Sequence, residues 1–452
     1  MRKRLLSMFA ITCIITAILC CPVGSVMAGE KEIIAQFVDE SPTWPADLGD
    51  KPDFSEYHGK NIHIEMWFHD PLYVRFFTIT AQEFEKLYPE INFSWTITQL
   101  PDPWDKLVVS LVSGRGAPDI SGIEISQWGK FWKGPYQHMM PLPVREEGLY
   151  EKYIEDRMVA YTGPDGEVYG LPSDCPVVVY YYRQDVFDEL GIHAPIETWD
   201  DFIEAGKKVR STGRYMIGFG DNTMDQFWHL LLPRGGGYFD EQGNPIVNNE
   251  KGIETLQFMV DLVQEHGIAK VTQSSAGDVA GHAPWKTGEI VSLTGATWHP
   301  DYIMKIYYPE LSGRWRAQPM PVGDPSHARA GSQGGTGMCI TNQCEYPDLA
   351  WAYLKYSYGS YENQIKRWLS VHYLPSFKDA IFDPAVLEYE DPYFGNQRTG
   401  QMYAELAAEV PPFTIGRDWT ALITAVNDRI NEAYSGKMEP KEFLDWVVSR
   451  TR

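Results

Sequence analysis

Residues 169–209 read YGLPSDCPVVVYYYRQDVFDELGIHAPIETWDDFIEAGKKV. Within this stretch, residues 177–182 are β-branched or aromatic and carry no charge, which is typical of a strand buried on both faces. Pro172 and Pro176 hold the preceding segment extended, because the pyrrolidine ring fixes φ. The sequence therefore predicts a buried strand that leaves a proline-stiffened link.

The segment after that strand carries the signals of a helix start. Thr198 stands three residues before Asp201, which is the spacing of a capping box. The residues that share one helical face after this point are Trp199, Phe202, Ile203 and Gly206. We expect a capped amphipathic helix here.

Length and charge limit the class of protein. The chain has 452 residues, more than the roughly 250 to 300 that one hydrophobic core usually serves, so two domains are expected. Its formal net charge is −22. Because nucleic acid and anionic membrane surfaces would repel such a chain, neither is an expected partner.

The first 28 residues have the pattern of a secretory signal peptide. A basic start is followed by an apolar run over residues 5–19 and by Val26-Met27-Ala28, a small-residue cleavage site before Gly29. We expect a periplasmic protein released by cleavage. Lipid anchoring at Cys20 or at the next residue is the alternative, although Leu19 fits a lipoprotein signal poorly.

Three cysteines remain beyond the leader, and no metal or cofactor motif accompanies them. If any pair forms a disulfide, we expect it to be Cys339 with Cys344, since Cys175 lies in another segment. No Cys-x-x-Cys, His-Glu-x-x-His, Gly-x-Ser-x-Gly or phosphate-binding glycine motif occurs. The sequence therefore predicts no cofactor, no metal and no catalytic residues.

Upstream of the opening stretch, strand and helix patterns alternate. Residues 62–67 and 91–97 alternate apolar and polar side chains, while residues 77–88 and 104–111 place apolar side chains at helical spacing. This βαβα order predicts a largely parallel sheet. Residues 29–60 contain three prolines and little periodicity, so we expect a strap or a loose arm.

These motifs resemble family 1 extracellular solute-binding proteins of ABC transporters, at the point where the chain first crosses between two lobes. The residues that match the family pattern are Leu171, Pro172, Asp174, Tyr182, Asp185, Pro195, Thr198 and Trp199. The resemblance spans roughly residues 62–448. It implies an α/β fold of the type II, Venus-flytrap kind, similar to maltose-binding protein, with a ligand cleft between the lobes.

The resemblance also implies a division of the chain. After a signal peptide over 1–28 and an N-terminal extension over 29–60, the first lobe would comprise 61–173 and 322–357. The second lobe would comprise 174–321 and 358–452. The chain would cross between lobes near 172–178, 316–325 and 357–374, and the lobes would close on the ligand by a hinge motion.

A sugar site needs flat aromatic platforms beside short polar side chains, because a sugar ring offers one C–H face and an equator of hydroxyls. Aromatic residues make up 13% of the chain, and several stand beside acids at loop starts. The candidate ligand-binding residues are Trp67, His69, Asp70, Glu124, Trp128, Asp174, Asp221, Trp228, Trp298, Gly334, Gly335 and Trp419.

Four of these candidates are implied by the family pattern, which assigns stacking to Trp298 and Trp419 and hydroxyl binding to Asp70 and Asp174. Core packing stays open for several of the others. Trp67 continues a strand, while Trp128 and Trp228 have aromatic neighbours that compete for a stacking role.

The function that the resemblance implies is capture of a mono- or oligosaccharide and its delivery, by a monomer, to the permease subunits of an ABC transporter. A secreted glycosidase is the rival hypothesis, since tryptophan platforms and paired acids also serve such enzymes. A binding protein for a polyamine or a peptide is a third, because the chain is acidic.

Overall fold

The computed structural model describes residues 23–278 and 281–451. Most of the predicted signal peptide, including Cys20 and the apolar run before it, lies outside the described residues. Within them, no helix is both long enough and apolar enough to cross a membrane.

The described chain alternates helices with short strands. The α-helices are α1 Val23–Phe37, α2 Pro71–Leu87, α3 Trp104–Ser113, α4 Trp128–Phe131, α5 Glu155–Ala160, α6 Gln184–Glu189, α7 Trp199–Arg210, α8 Asp225–Leu231, α9 Glu250–Gln264, α10 Ala283–Lys286, α11 Lys305–Tyr307, α12 Pro347–Tyr358, α13 Tyr361–Val371, α14 Pro384–Leu387, α15 Thr399–Ala407, α16 Trp419–Tyr434 and α17 Pro440–Arg450. The strands are β1 Asn61–Phe68, β2 Asn92–Gln99, β3 Ile120–Glu124, β4 Leu171–Pro172, β5 Val178–Arg183, β6 Ile217–Gly220, β7 Ala269–Thr272, β8 Ser292–Ala296, β9 Trp315–Gln318 and β10 Thr336–Ile340.

One lobe is built on a five-stranded sheet with the order β2-β1-β3-β10-β4. Strands β2, β1 and β3 run parallel, as the βαβα pattern predicts, whereas β10 joins antiparallel between β3 and β4. Alternate residues of β1 from Ile62 to Phe68 pack into one core with α2 and α12. This arrangement places the loop after β1 at the edge of the sheet that faces the other lobe.

The second lobe contains a three-stranded sheet, β8-β5-β9, and the parallel pair β6-β7. Strand β5 is buried on both faces, as predicted: Val178 and Tyr180 contribute to one core, and Val179 and Tyr181 to another. The predicted cap of α7 is also confirmed, because the hydroxyl of Thr198 accepts from the backbone N–H of Asp201 at 3.1 Å.

The chain passes between the two sheets along segments that lie side by side. The backbone N–H of Ser173 donates to Thr336 O at 2.8 Å, and that of Cys175 donates to Leu374 O at 3.0 Å. The second passage comes later than the sequence predicts. Residues 316–318 belong to β9, whose pairing with β5 is long-range, and the chain reaches the first sheet at Thr336.

The N-terminal extension is a packed strap. Glu30 forms two hydrogen bonds to Arg75 on α2, at 2.6 and 2.8 Å. Further along, the N–H of Asp39 donates at 2.7 Å to Glu83, a fully buried carboxylate of α2. Glu83 also accepts from Lys366 of α13 at 2.8 Å. The extension therefore joins a network that ties α2 to α13.

The three cysteines of the described chain are free, so the proposed Cys339–Cys344 bridge does not form. The reason is local pairing: Cys339 is buried in β10, where its thiol donates to Ser121 O at 3.3 Å. Cys344 lies beyond the end of that strand, near Asp119.

Candidate functional site

A cavity of about 340 Å³ lies between the two lobes. The loops after β1 and β3 line it from one lobe, α8, α16 and the segment after β8 line it from the other, and the crossing segments close it from behind. Nine predicted site residues meet there: His69, Asp70, Glu124, Asp174, Trp228, Trp298, Gly334, Gly335 and Trp419.

Three predicted residues do not line this cavity. Trp128 is fully buried and donates its indole N–H to Ile123 O at 2.9 Å, so it packs behind the first sheet. Trp67 bonds Glu65 through its indole N–H at 2.8 Å and lies under the Lys106 ammonium. Asp221 follows β6, where its backbone N–H bonds Thr272 O at 2.8 Å. Contacts with neighbouring groups thus hold the two tryptophan rings away from the cavity, and the backbone of Asp221 is paired with the end of β7.

Trp298 lies two residues beyond β8 and joins the second lobe to a crossing segment. Its indole N–H donates to the carbonyl of Gln333 at 2.9 Å, and part of its surface stays open to the cavity. Gly334 has a φ of +85°, and a Cβ there would come within 2.9 Å of the Trp298 indole nitrogen. A glycine at 334 is therefore needed for the indole to reach the crossing segment.

Helix α16 presents one face to the cavity. Trp419, Ile423 and Asn427 are four residues apart and all line it, as residues on one helical face must. The Trp419 ring stacks on Phe239 at 6.0 Å between centroids and meets the edge of Trp228 at 5.3 Å. Trp419 thus packs in the core of the second lobe and also lines the cavity, and its contact with a ligand stays a prediction.

Three carboxyl groups at the cavity have raised pKa values, and burial is the main cause. Asp70 caps α2 by accepting from Leu72 N–H at 2.8 Å, and burial raises its pKa to about 6. Burial raises the pKa of Glu124 to about 7, against the hydrogen bonds that it accepts from Ser126. Asp174 shifts in the same direction. With a pKa of about 7, Glu124 is protonated in a substantial share of molecules at neutral pH, and a protonated carboxyl can donate as well as accept a hydrogen bond.

Several polar atoms at the cavity wall are buried and lack a partner among the described residues. They are Nδ1 of His69, the indole nitrogens of Trp104 and Trp419, and Oδ1 of Asn427. Burial also lowers the pKa of His69 to about 4, so its ring is neutral at physiological pH. Because buried polar groups normally have hydrogen-bond partners, these atoms mark positions suited to a ligand with many hydroxyl groups.

The cavity wall also contains residues that were not predicted as ligand-binding residues, among them Trp104, Gln127, Asp225, Gln333, Tyr373 and Asn427. Helical spacing from Trp419 could have found Asn427. Gln127 lies three residues after Glu124 and could have been grouped with it. Tyr373 donates its hydroxyl to Asp70, a partner 303 residues away in the sequence, and no local pattern predicts such a pair.

The lobes also touch next to Trp419, a residue of the cavity wall. The Lys133 ammonium lies 2.7 Å from the Asp418 carboxylate, at the start of α16, and the two side chains are 50% and 44% exposed. This ion pair links the turn after α4 in one lobe to the start of α16 in the other.

Two α/β lobes with a cavity of aromatic and polar side chains between them define a two-lobed ligand-binding protein. The chain belongs to the family of bacterial extracellular solute-binding proteins, whose sequence profile matches residues 76–361. The predicted family and fold are confirmed. Membership in this family implies a protein that acts outside the cytoplasm.

Similar proteins cover most of the chain. The arabinooligosaccharide-binding protein of Halalkalibacterium halodurans is 31% identical over 70% of this chain and 74% of its own. The arabinooligosaccharide-binding protein of Bacillus subtilis is 27% identical over 86% of this chain and 92% of its own. Among solved structures, an ABC transporter associated binding protein from B. animalis subsp. lactis Bl-04, in complex with β-1,6-galactobiose, has a TM-score of 0.71. It is 19% identical, and the likeness covers 85% of this chain and 95% of that one.

Proposed function

We propose that this protein captures a carbohydrate outside the cytoplasmic membrane and delivers it to the permease of an ABC transporter. The main observation that supports carbohydrate binding is the cavity between the lobes. It combines the rings of Trp104, Trp298 and Trp419 with carboxyl and amide groups from both lobes. Flat apolar faces beside hydrogen-bonding groups suit a sugar ring, which is apolar on its faces and polar at its edge.

The size of the cavity agrees with this class of ligand. About 340 Å³ falls at the lower end of the roughly 300 to 1,000 Å³ of typical small-molecule sites. Two relatives are named for arabino-oligosaccharides, which supports a saccharide over other solutes.

The proposal includes a monomer in the periplasm, released by cleavage after Ala28, whose lobes close by a hinge at the crossing segments. The hydrogen bonds that hold Ser173 and Cys175 beside the other crossings support a hinge there. Lobe boundaries near 173, 321 and 357 stay part of the proposal, with the second boundary moved toward Thr336. Small-angle scattering should show compaction when sugar is added, and unchanged profiles at saturation would contradict closure.

A cationic ligand is the second candidate, because Asp70, Glu124, Asp174 and Asp225 all line the cavity. Burial raises the pKa of the first three carboxyls, so the charge that a cation would pair with is disfavoured there, and this favours a neutral, hydroxyl-rich ligand.

A thermal-shift screen separates these candidates. The purified mature chain is tested with arabinose, arabino-oligosaccharides, malto-oligosaccharides, galactobiose and spermidine. A ligand at 100 times its Kd adds about 2.7 kcal/mol to the free energy of unfolding, which is easily detected. Stabilisation by a saccharide and not by spermidine is expected. The reverse result would favour the cationic ligand, and steady hydrolysis of a saccharide would contradict a pure binding role.

A further inference from the structure

Arg157 is a buried residue of α5, which packs beside β4 of the first sheet, and it is 2% exposed. It does not line the main cavity between the lobes, but its guanidinium bonds a residue that does, Ser332. We propose that Arg157 is a positioning residue for ligand capture, which holds the cavity wall at Ser332 and acts on the Asp174 carboxyl without touching the ligand. The inference rests on the proposed function and adds to it a residue that acts from outside the cavity.

One hydrogen bond of Arg157 connects two crossing segments. Its Nη2 donates to the hydroxyl of Ser332 at 2.7 Å, and that hydroxyl donates to Pro176 O at 3.1 Å. Ser332 lies on the segment that leads into β10, and Pro176 lies on the segment that leaves β4. Because Ser332 is buried and lines the cavity, the Arg157 guanidinium fixes a part of the wall from behind.

The same segment anchors two tryptophans of the second lobe. The indole N–H of Trp228, on α8, donates to the Ser332 carbonyl, and the indole N–H of Trp298 donates to the Gln333 carbonyl at 2.9 Å. Both tryptophans line the cavity. A displacement of Ser332 would therefore move the hydrogen-bond acceptors of two aromatic rings that we expect near the sugar.

Arg157 also acts on Asp174 through its charge. Burial raises the pKa of Asp174, whereas the hydrogen bond from Ser173 and the positive charges of Arg367 and Arg157 act in the opposite direction. A nearby positive charge favours the ionised carboxyl, which accepts hydrogen bonds more strongly than the neutral one. Since Asp174 lines the cavity, Arg157 favours the form that accepts best from a sugar hydroxyl.

Packing alone does not account for an arginine at this position. The guanidinium carbon lies 5.5 Å from the centroid of the Phe413 ring, and an apolar side chain of similar length could fill that space. Nε and Nη1 of Arg157 are buried and have no partner among the described residues. Because a buried charge with few hydrogen bonds is unfavourable, we expect an apolar replacement to leave the fold equally stable or to stabilise it. The charge and the donors of Arg157 are thus better explained by their action on the cavity wall.

The test separates affinity from stability in Arg157→Met, which keeps a long side chain and removes its charge and donors. Arg157→Lys keeps the charge and an N–H donor. The matched control is Arg145→Met, because Arg145 also lies over an aromatic ring, that of Tyr150, but is exposed. Calorimetric titration with the sugar found in the thermal-shift screen measures affinity, and urea unfolding measures stability.

We expect Arg157→Met to bind the sugar about tenfold more weakly than the unmodified protein, at an equal or higher free energy of unfolding. Arg157→Lys should recover part of the affinity, and Arg145→Met should bind as the unmodified protein does. Ser332→Ala should weaken binding alone but add little to the loss in Arg157→Met, because the arginine acts through Ser332.

Unchanged affinity in Arg157→Met, fully additive losses with Ser332→Ala, or an Arg157→Lys variant that binds no better than Arg157→Met would overturn the proposal. If Arg157→Met does not fold, Arg157→Lys decides in its place. Weaker binding than in the unmodified protein at equal stability would then support positioning, and equal affinity would overturn it. If no saccharide binds the unmodified protein, the proposed function fails, and the role of Arg157 fails with it.

Discussion

The imidazole Nε2 of His229 lies 2.6 Å from the side-chain oxygen of Gln333, and Nδ1 of the same ring lies 2.9 Å from the hydroxyl of Thr294. Because the Gln333 oxygen can only accept, Nε2 carries the proton and Nδ1 accepts from Thr294. Burial lowers the pKa of His229, which keeps the ring neutral. His229 thus fixes the Gln333 amide with its NH₂ group directed away from the imidazole.

Gln333 lines the main cavity, so its NH₂ group can donate to the ligand. Gln333→Leu should weaken sugar binding by about threefold to tenfold, since one neutral hydrogen bond is worth roughly 0.5 to 1.5 kcal/mol. Calorimetric titration measures the change. Gln401→Leu, at an exposed position of α15, is the control and should bind as the unmodified protein does. Equal affinity in both variants would exclude Gln333 from the contact.

Trp298 should supply a stacking face. Trp298→Ala removes the ring that contacts both lobes and the cavity, and we expect the affinity to fall by tenfold or more, which is about 1.4 kcal/mol. Trp298→Phe should retain part of the affinity, because a smaller face remains. Trp446→Ala on α17, away from the main cavity, controls for the loss of a tryptophan. Calorimetric titration of the three variants with the sugar found in the screen measures these affinities. Unchanged affinity in Trp298→Ala would show that Trp298 does not contact the sugar.

Glu124 should make the stability of the ligand-free protein depend on pH. Burial raises its pKa from an ordinary value near 4.5 to about 7, so between these values the folded state binds more protons than the unfolded state. The contribution of Glu124 to the free energy of unfolding is therefore fully present below pH 4.5 and is lost as the pH rises through 7.

Glu124→Gln should remove this dependence and gain on the order of 1 kcal/mol at pH 7.5, where the buried charge is costly. Urea unfolding at pH 5 and at pH 7.5 measures both effects. The matched control is Glu167→Gln, whose side chain is exposed. An equal pH dependence in the unmodified protein and in Glu124→Gln would show that Glu124 ionises normally.

The strap depends on the buried carboxylate of Glu83, which Lys366 neutralises at 2.8 and 2.9 Å. Lys366→Met should lower the free energy of unfolding by roughly 3 kcal/mol, since it leaves a buried charge without its partner. Lys378→Met, at an exposed position, should change it little. Chemical denaturation compares the two. A double variant with Glu83→Gln should recover much of the loss, and full additivity would argue against the pairing.

Local sequence patterns predicted the elements that depend on local physics. The uncharged run of β5 and the Thr198 cap of α7 are both found at the expected residues. The prediction for residues 316–325 was less accurate. Prolines indicated a link there, but residues 316–318 pair with β5, more than a hundred positions earlier, and that partner decides their conformation.

The site was predicted unevenly for the same reason. Asp70, Asp174 and Trp298 follow strands or lie on a crossing, so their position relative to the cleft follows from the fold. Trp67 continues a strand and Trp128 follows one, yet neither lines the cavity. Lys106 covers the ring of Trp67, and the indole N–H of Trp128 donates to the Ile123 carbonyl. Which side of a sheet a tryptophan faces depends on contacts between distant segments, and these leave no local pattern.

The ion pair of Lys133 with Asp418 contributes little to holding the ligand-free protein closed. Both side chains are about half exposed, and pairs of this kind contribute at most about 1 kcal/mol. That amount favours closed over open molecules by no more than about fivefold, and salt at physiological strength screens part of it. Any larger bias towards the closed form has to come from other contacts between the lobes, such as the packing of Trp298 against both cores, or from the bound sugar. To the extent that the sugar supplies this bias, the closed form would last as long as the sugar stays bound. The ligand-free protein would reopen readily and could bind again.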